Sequence, residues 1–331
     1  MRTYLVTGGL GFLGSHLVKA LLESGHRVRV LDDCSRGSED RLGAARTEIE
    51  ILKGDVRDRE VVRGAVRGVD GVCHLAAVNG TEHFYKRPAH VLDVGVNGML
   101  NVLDGCIRAG VGELIFASSS EVYQTPSTTP TDESVPLVVP DPRNPRYSYG
   151  GSKIIGELLA IHYGREYFRR VLIVRPHNVF GPNMGREHVI PQLTARLLRL
   201  KATVREDEIP LPIQGTGEQS RAFIYIEDFI VGLMKVIERG EHLNIYNIGT
   251  TDEWTIRDVA HRVAACLDAR IRLVPGPEPP GGTARRCPDV GKLERLGFRP
   301  QFSFDDGLRW TVAWYAAHAL HDVDADAKLA P

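Results

Sequence analysis

The chain has 331 residues, 43% hydrophobic and 25% charged, with 41 basic side chains against 42 acidic and a formal net charge of −1. Those are globular values that exclude a disorder-dominated chain, and they supply no overall basic field for non-specific nucleic-acid binding. Five scattered cysteines without a C-x-x-C pair argue against a disulfide framework or a zinc site, and no apolar run reaches the ~18 residues of a membrane span.

The N-terminus runs from Met1 straight into an apolar strand pattern and lacks the zones of a signal peptide. A cytoplasmic protein with reduced thiols is the expectation, with no nucleic-acid and no membrane partner. Strands are predicted near Tyr4–Thr7, Arg27–Leu31, Ile49–Leu52, Gly71–His74, Glu113–Ala117 and Val171–Val174. Helical periodicity falls between them at Phe12–Glu23, Arg59–Val66, Val91–Ala109 and Ser148–Tyr167. Such alternation predicts an α/β protein: a Rossmann-type doubly wound parallel sheet with a smaller C-terminal substrate-binding lobe. Residues 1–175 form the expected dinucleotide domain and 176–320 mainly the substrate lobe, with 226–247 returning to the sheet. The segment Thr125–Arg146 reads as a long surface loop, and 321–331 as a frayed tail.

The first strand runs into Gly8-Gly9-Leu10-Gly11-Phe12-Leu13-Gly14 and opens a helix. Glycines there permit a tight turn and let backbone N–H groups approach a pyrophosphate at the helix N-terminus. Asp32, at the end of the second strand, stands 21 residues beyond Gly11 and suits the adenosine ribose hydroxyls. A carboxylate there repels a 2′-phosphate, so NAD is favoured, while nearby Arg36 keeps NADP as an alternative. Asp55 and Val56 follow the third strand, with Asp55 aimed at the adenine amino group. Leu75-Ala76-Ala77 after the fourth is small enough for a cofactor to pass.

Tyr149 and Lys153 are four residues apart on a predicted helix and so share a face. A free tyrosine has a pKa of about 10. The ammonium and a positive nicotinamide ring are expected to lower it, making Tyr149 a proton acceptor with Lys153 beside it. A hydroxyl from the serine run Ser118–Ser120 ending the fifth strand can hydrogen-bond the substrate oxygen that Tyr149 deprotonates. His83, His162, His177 and His188 lack the spacing of metal ligands, so no metal is expected.

On these joint features the chain resembles the extended short-chain dehydrogenase/reductase family of nucleotide-sugar epimerases, dehydratases and decarboxylases, from about Arg2 to about Trp314. The resemblance implies catalytic roles for Ser119, Glu121, Tyr149 and Lys153, with Tyr149 and Lys153 also in contact with the cofactor. Gln124 stands where the family usually has glycine after Val-Tyr. Arg175-Pro176-His177-Asn178 is similar to the family segment that brings Asn178 to a substrate diphosphate. Arg221 and Arg286 match two further arginines that meet it. The resemblance also implies a homodimer packed through the helices at Val91–Ala109 and Ser148–Tyr167.

The implied reaction removes a hydride from a sugar carbon, usually C4, of a nucleoside-diphosphate sugar. The transient ketone then permits 4-epimerisation, 4,6-dehydration or decarboxylation of a glucuronate, in that order of expectation. Glu121 separates them, because similar dehydratases and decarboxylases carry glutamate just before Val-Tyr. A catalytically silent NAD-binding regulatory protein is the alternative of another class, and net reduction a third, opposed by Asp32. The insertion-like Val78–Tyr85 matches no version of the family and is where sugar specificity is expected.

Overall fold

A computed structural model of the chain describes residues 1–278 and 281–318; the tail expected at 321–331 lies outside them. Six strands follow the predicted positions: β1 (Thr3–Thr7), β2 (Arg27–Asp32), β3 (Glu50–Lys53), β4 (Gly71–His74), β5 (Glu113–Ala117) and β6 (Arg170–Pro176). With the strand Asn244–Ile248 they form one seven-stranded sheet, ordered Asn244–Ile248, β6, β5, β4, β1, β2, β3. Every pairing in it is parallel, with Tyr4 opposite both Val28 and Gly71.

Both faces of the sheet are covered, which is why its strands read as nearly continuous apolar runs. Alternating side chains go to opposite faces. Val6, Val30, Ile115 and Leu172 join one core, while Leu5, Leu31, Leu114 and Val171 join the other. Helix α1 (Phe12–Glu23) packs its buried Leu17, Val18 and Leu21 into the first core. Helix α2 (Arg59–Ala65) covers the second core. The strand order reverses between β1 and β4, and ligand crevices open at the carboxyl ends beside such a switch.

The segment after β4 is not an irregular insertion. It folds into a short helix, α3 (Thr81–Lys86), leading directly into α4 (Pro88–Ala109). Helix α4 starts at Pro88 rather than Val91 because proline suits the first turn, and it stops at Gly110, whose φ is 69°. Helix α5 (Ser148–Tyr167) packs alongside it. The 125–146 stretch is tied down rather than free: Thr131 N donates to Cys287 O and Asp289 N to Thr131 O, each at 2.8 Å. This seam brings the late arginine segment to the end of β5. The remaining lobe uses small sheets, one joining Ser220–Ala222 to Glu253–Thr255 and Arg285–Arg286. None of the described helices is long and apolar enough to cross a membrane.

Candidate active site

A cleft of about 770 Å³ runs along the carboxyl ends of β1 to β5. Its walls include Gly8, Gly11, Phe12, Leu13 and Gly14, then Asp32, Asp55 and Val56, and then Leu75, Ala76 and Ala77. Gly8 has φ 71°, and a Cβ on it would meet the Ala76 backbone at 2.9 Å, so the loop and the β4 end approach too closely for any side chain. No side chain caps the N-terminus of α1, which leaves its N–H groups free for an anion.

Asp32 is 7% exposed, and its Oδ2 accepts from Leu10 N and its Oδ1 from Cys34 N, both at 2.9 Å. The glycine turn thus fixes the carboxylate at the cleft edge. Arg36, the residue that kept NADP open, lines the cleft with its guanidinium paired to Glu187 at 2.9 Å and bonded to Asn79 O. Asp55 lies on the wall but is paired to Arg57 at 2.6 Å, so an adenine amino group would share it. These features fit a dinucleotide with an unphosphorylated adenosine ribose.

At the other end of the cleft, α5 presents Tyr149, 7% exposed, and Lys153, 4% exposed, on one face. The Lys153 ammonium donates to Ala117 O at 2.7 Å, which ties α5 to the end of β5. Burial lowers its pKa to about 8, with Glu157 one turn further on pulling the other way. Burial pushes the Tyr149 phenol upward, opposed by the Ser119 hydroxyl. The lowering expected from the sequence is therefore not produced by the chain's own groups. Lys153 Nζ is 5.7 Å from the Tyr149 ring centre and engaged elsewhere, so desolvation wins.

Ser119 caps the short turn Ser120–Val122 by accepting from Glu121 N at 3.1 Å, and this aims Glu121 at the cleft. Arg286 Nη1 donates to Glu121 Oε1 at 2.8 Å, and Arg146 Nη2 stands 3.9 Å from Oε2. Burial raises the Glu121 pKa, but Arg286, Arg146 and Arg221 outweigh it and hold the carboxyl at about 2. Gln124 sits at φ 49°, in the left-handed region where a glycine would be unstrained. Its Nε2 donates to Glu121 O at 2.6 Å.

Asn178 and Arg286 line the cleft, Asn178 being anchored through Ala222 O at 2.8 Å. Arg221 does not. Its guanidinium folds back on Ser220 O at 2.7 Å and acts on the site through its charge. Arg175 is 2% exposed, paired with Glu157 at 2.6 Å and bonded to Tyr123 Oη, and so supports the site from behind. The sequence did not single out Arg146, and it held Phe84 only as part of the segment expected to set sugar specificity. Phe84 is on the cleft wall, its ring stacked on Tyr149 with centroids 5.1 Å apart. The described residues contain no cluster able to hold a metal ion.

A parallel Rossmann sheet whose carboxyl-end cleft is bordered by a glycine loop and an acidic residue at the end of the second strand defines a dinucleotide-binding fold. The chain belongs to the NAD dependent epimerase/dehydratase family, whose model matches residues 4–249. It is 34% identical to a dTDP-4-dehydro-6-deoxy-D-allose reductase of Streptomyces bikiniensis, over 96% of this chain and 97% of that one. It is 30% identical to a UDP-N-acetyl-alpha-D-glucosaminuronate decarboxylase of Bacillus cytotoxicus, covering 94% and 97%. The crystal structure of a Thermotoga maritima UDP-glucose 4-epimerase with UDP-glucose superposes with a TM-score of 0.84 at 27% identity, covering 96% and 99%. These relatives share nucleotide-sugar chemistry and differ in the reaction. The chain is an NAD-dependent enzyme of that class.

Proposed function

We propose that the enzyme oxidises C4 of a nucleoside-diphosphate sugar to a ketone and returns the hydride to it, with 4-epimerisation as the net reaction. NAD, when bound, supplies the hydride acceptor and a positive ring near the phenol. Tyr149 takes the proton of the C4 hydroxyl and later gives it back, and Ser119 hydrogen-bonds the same oxygen. Lys153 places positive charge beside them. Asn178 and Arg286 hold the diphosphate side, where a planar guanidinium suits paired phosphate oxygens.

The observation carrying this reading is the pairing of Glu121 with Arg286 at 2.8 Å and a carboxyl pKa held at about 2. Dehydration needs a base to remove a C5 proton, and a carboxylate so stabilised by its guanidinium partner is a weak one. Epimerisation needs no such base. Decarboxylation is the second reading, favoured by Arg286 on the cleft wall, because its guanidinium can exchange Glu121 for a carboxylate on the sugar.

Mass spectrometry of the enzyme with NAD and a panel of nucleotide sugars and sugar acids tests both. A product of unchanged mass with inverted C4 is expected. Loss of water would overturn the reading in favour of dehydration, and loss of carbon dioxide in favour of the second.

The same proposal extends to assembly. Leu92 and Leu100 on α4 and Ile155 and Leu158 on α5 are exposed, Leu158 by 53%, and they suit a homodimer packed through these helices. Light scattering on the wild type and on Leu158→Glu tests it, with a dimer expected to become monomer.

A further inference from the structure

Tyr149 is held by very little of the protein's main core. Its ring belongs to a small separate apolar cluster with Phe84 and Val91, bordered by Ala77 and Val78. Phe84 is the other aromatic residue of that cluster and is 4% exposed. The two rings lie nearly parallel, 14° apart in plane, with centroids 5.1 Å apart, as in an offset stack. Phe84 also lines the cleft, so it occupies the space beside the phenol that water or substrate would otherwise fill.

The backbone that delivers Phe84 is built for that placement. Gly80 takes φ 126°, and Phe84 N donates to Gly80 O at 3.2 Å as α3 begins. Arg36 bonds Asn79 O and pairs with Glu187 at 2.9 Å, anchoring the start of α3 to both walls of the cleft. Arg87 N closes the helix on His83 O at 2.9 Å, and α4 begins at once.

We propose that Phe84 is a positioning residue for Tyr149. Its ring fixes the tilt of the phenol and keeps water from that side, so that the hydroxyl meets the substrate in a single orientation. The role rests on Tyr149 being the proton acceptor proposed above. It gives α3, the segment where the sequence placed sugar specificity, a part in setting the turnover rate.

The test compares Phe84→Ala and Phe84→Leu with the wild type, per folded, NAD-loaded site. Phe84→Ala is expected to lose about tenfold to a hundredfold in kcat, the scale of a small misplacement, with KM for the nucleotide sugar little changed. The limb of the profile where activity rises with pH moves to lower pH, because a hydrated phenol ionises more easily than a buried one. Phe84→Leu keeps the bulk and loses the parallel stack, so its Tm stays near the wild type while kcat remains several-fold down. It serves alone if Phe84→Ala does not fold. Full kcat in Phe84→Leu would overturn the proposal, since a filler role is all that leucine restores. The phenolate absorbance that disappears in Tyr149→Phe gives a readout independent of turnover. It should appear at lower pH in Phe84→Ala, and an unmoved titration would overturn the role of Phe84. Full activity in Tyr149→Phe would instead sink the proton-acceptor assignment.

Discussion

Arg286 and Glu121, 165 residues apart in the chain, meet at the cleft with Nη1 2.8 Å from Oε1. This carboxylate also feels the charges of Arg146 and, at longer range, Arg221, and is held ionised with a pKa of about 2. Because this folded-state value lies below the ordinary 4.5, the interaction stabilises the protein above about pH 4.5. That stability is lost as pH falls towards about 2.

Glu121→Gln should therefore lower Tm at neutral pH, by the equivalent of about 3 kcal/mol or less, because it leaves buried guanidinium charge uncompensated. Acidification should then cost the variant less than the wild type. An added nucleoside diphosphate should raise the variant's Tm more than the wild type's, since its phosphates replace the missing charge. Thermal melts across the acid range, with and without the nucleotide, read all three effects.

Tyr149→Phe removes the proposed proton acceptor and keeps the ring that stacks on Phe84. A loss of about 10²- to 10⁴-fold in kcat is expected, the usual contribution of a positioned base. NAD affinity, followed by fluorescence, should change little. Loss of NAD binding along with turnover would show that the phenol acts mainly by holding the cofactor.

Lys153 carries two effects of opposite sign. Its folded pKa of about 8 lies below the usual 10.5, so burial of the charged form destabilises the protein fully below about pH 8, and the penalty fades as pH rises towards 10.5. The ammonium itself is lost as pH climbs through about 8, and kcat should fall on that side. Lys153→Met is expected to raise Tm at neutral pH while removing most of the turnover, the trade seen when an active site holds an unfavourable charge. A pH–rate profile and paired melts check both signs.

Asp32→Asn retains one side-chain acceptor, for Leu10 N, gives up the acceptor for Cys34 N, and removes the negative charge. NAD should bind about tenfold more weakly, as expected when a charged hydrogen-bond partner becomes neutral. NADP should bind better than it does to the wild type, since the 2′-phosphate no longer meets a carboxylate. Titrations of both dinucleotides measure the change. An unaltered preference would place the discrimination elsewhere, with Arg36 the first candidate through its contacts to Asn79 and Glu187.

Much of the site was legible because its signals are local. The glycine loop, Asp32, Leu75–Ala77 and the Tyr149–Lys153 pair each lie within a strand end or a helical turn, where period and spacing place them. Asp55 reached the cleft wall too, yet its exposed neighbour Arg57 claims the carboxylate, a competition no motif encodes. The segment 78–85 resisted because a six-residue helix is too short to show a period. The chain's own groups push the Tyr149 phenol upward, which spacing did not show, because spacing reveals which charges are near but not how much water has been removed.

The sequence by itself determined the parallel sheet, the family and the dinucleotide end of the cleft, since alternating apolar runs and glycine turns are written residue by residue. Only the tertiary structure decided that Arg286 closes on Glu121, that Arg221 stands back, and that Phe84 lies against Tyr149. Those contacts join segments brought together by the packing of helices and by the seam between Thr131 and Cys287. Their strength depends on burial, which arises when the whole chain has folded and is carried by no single stretch of it.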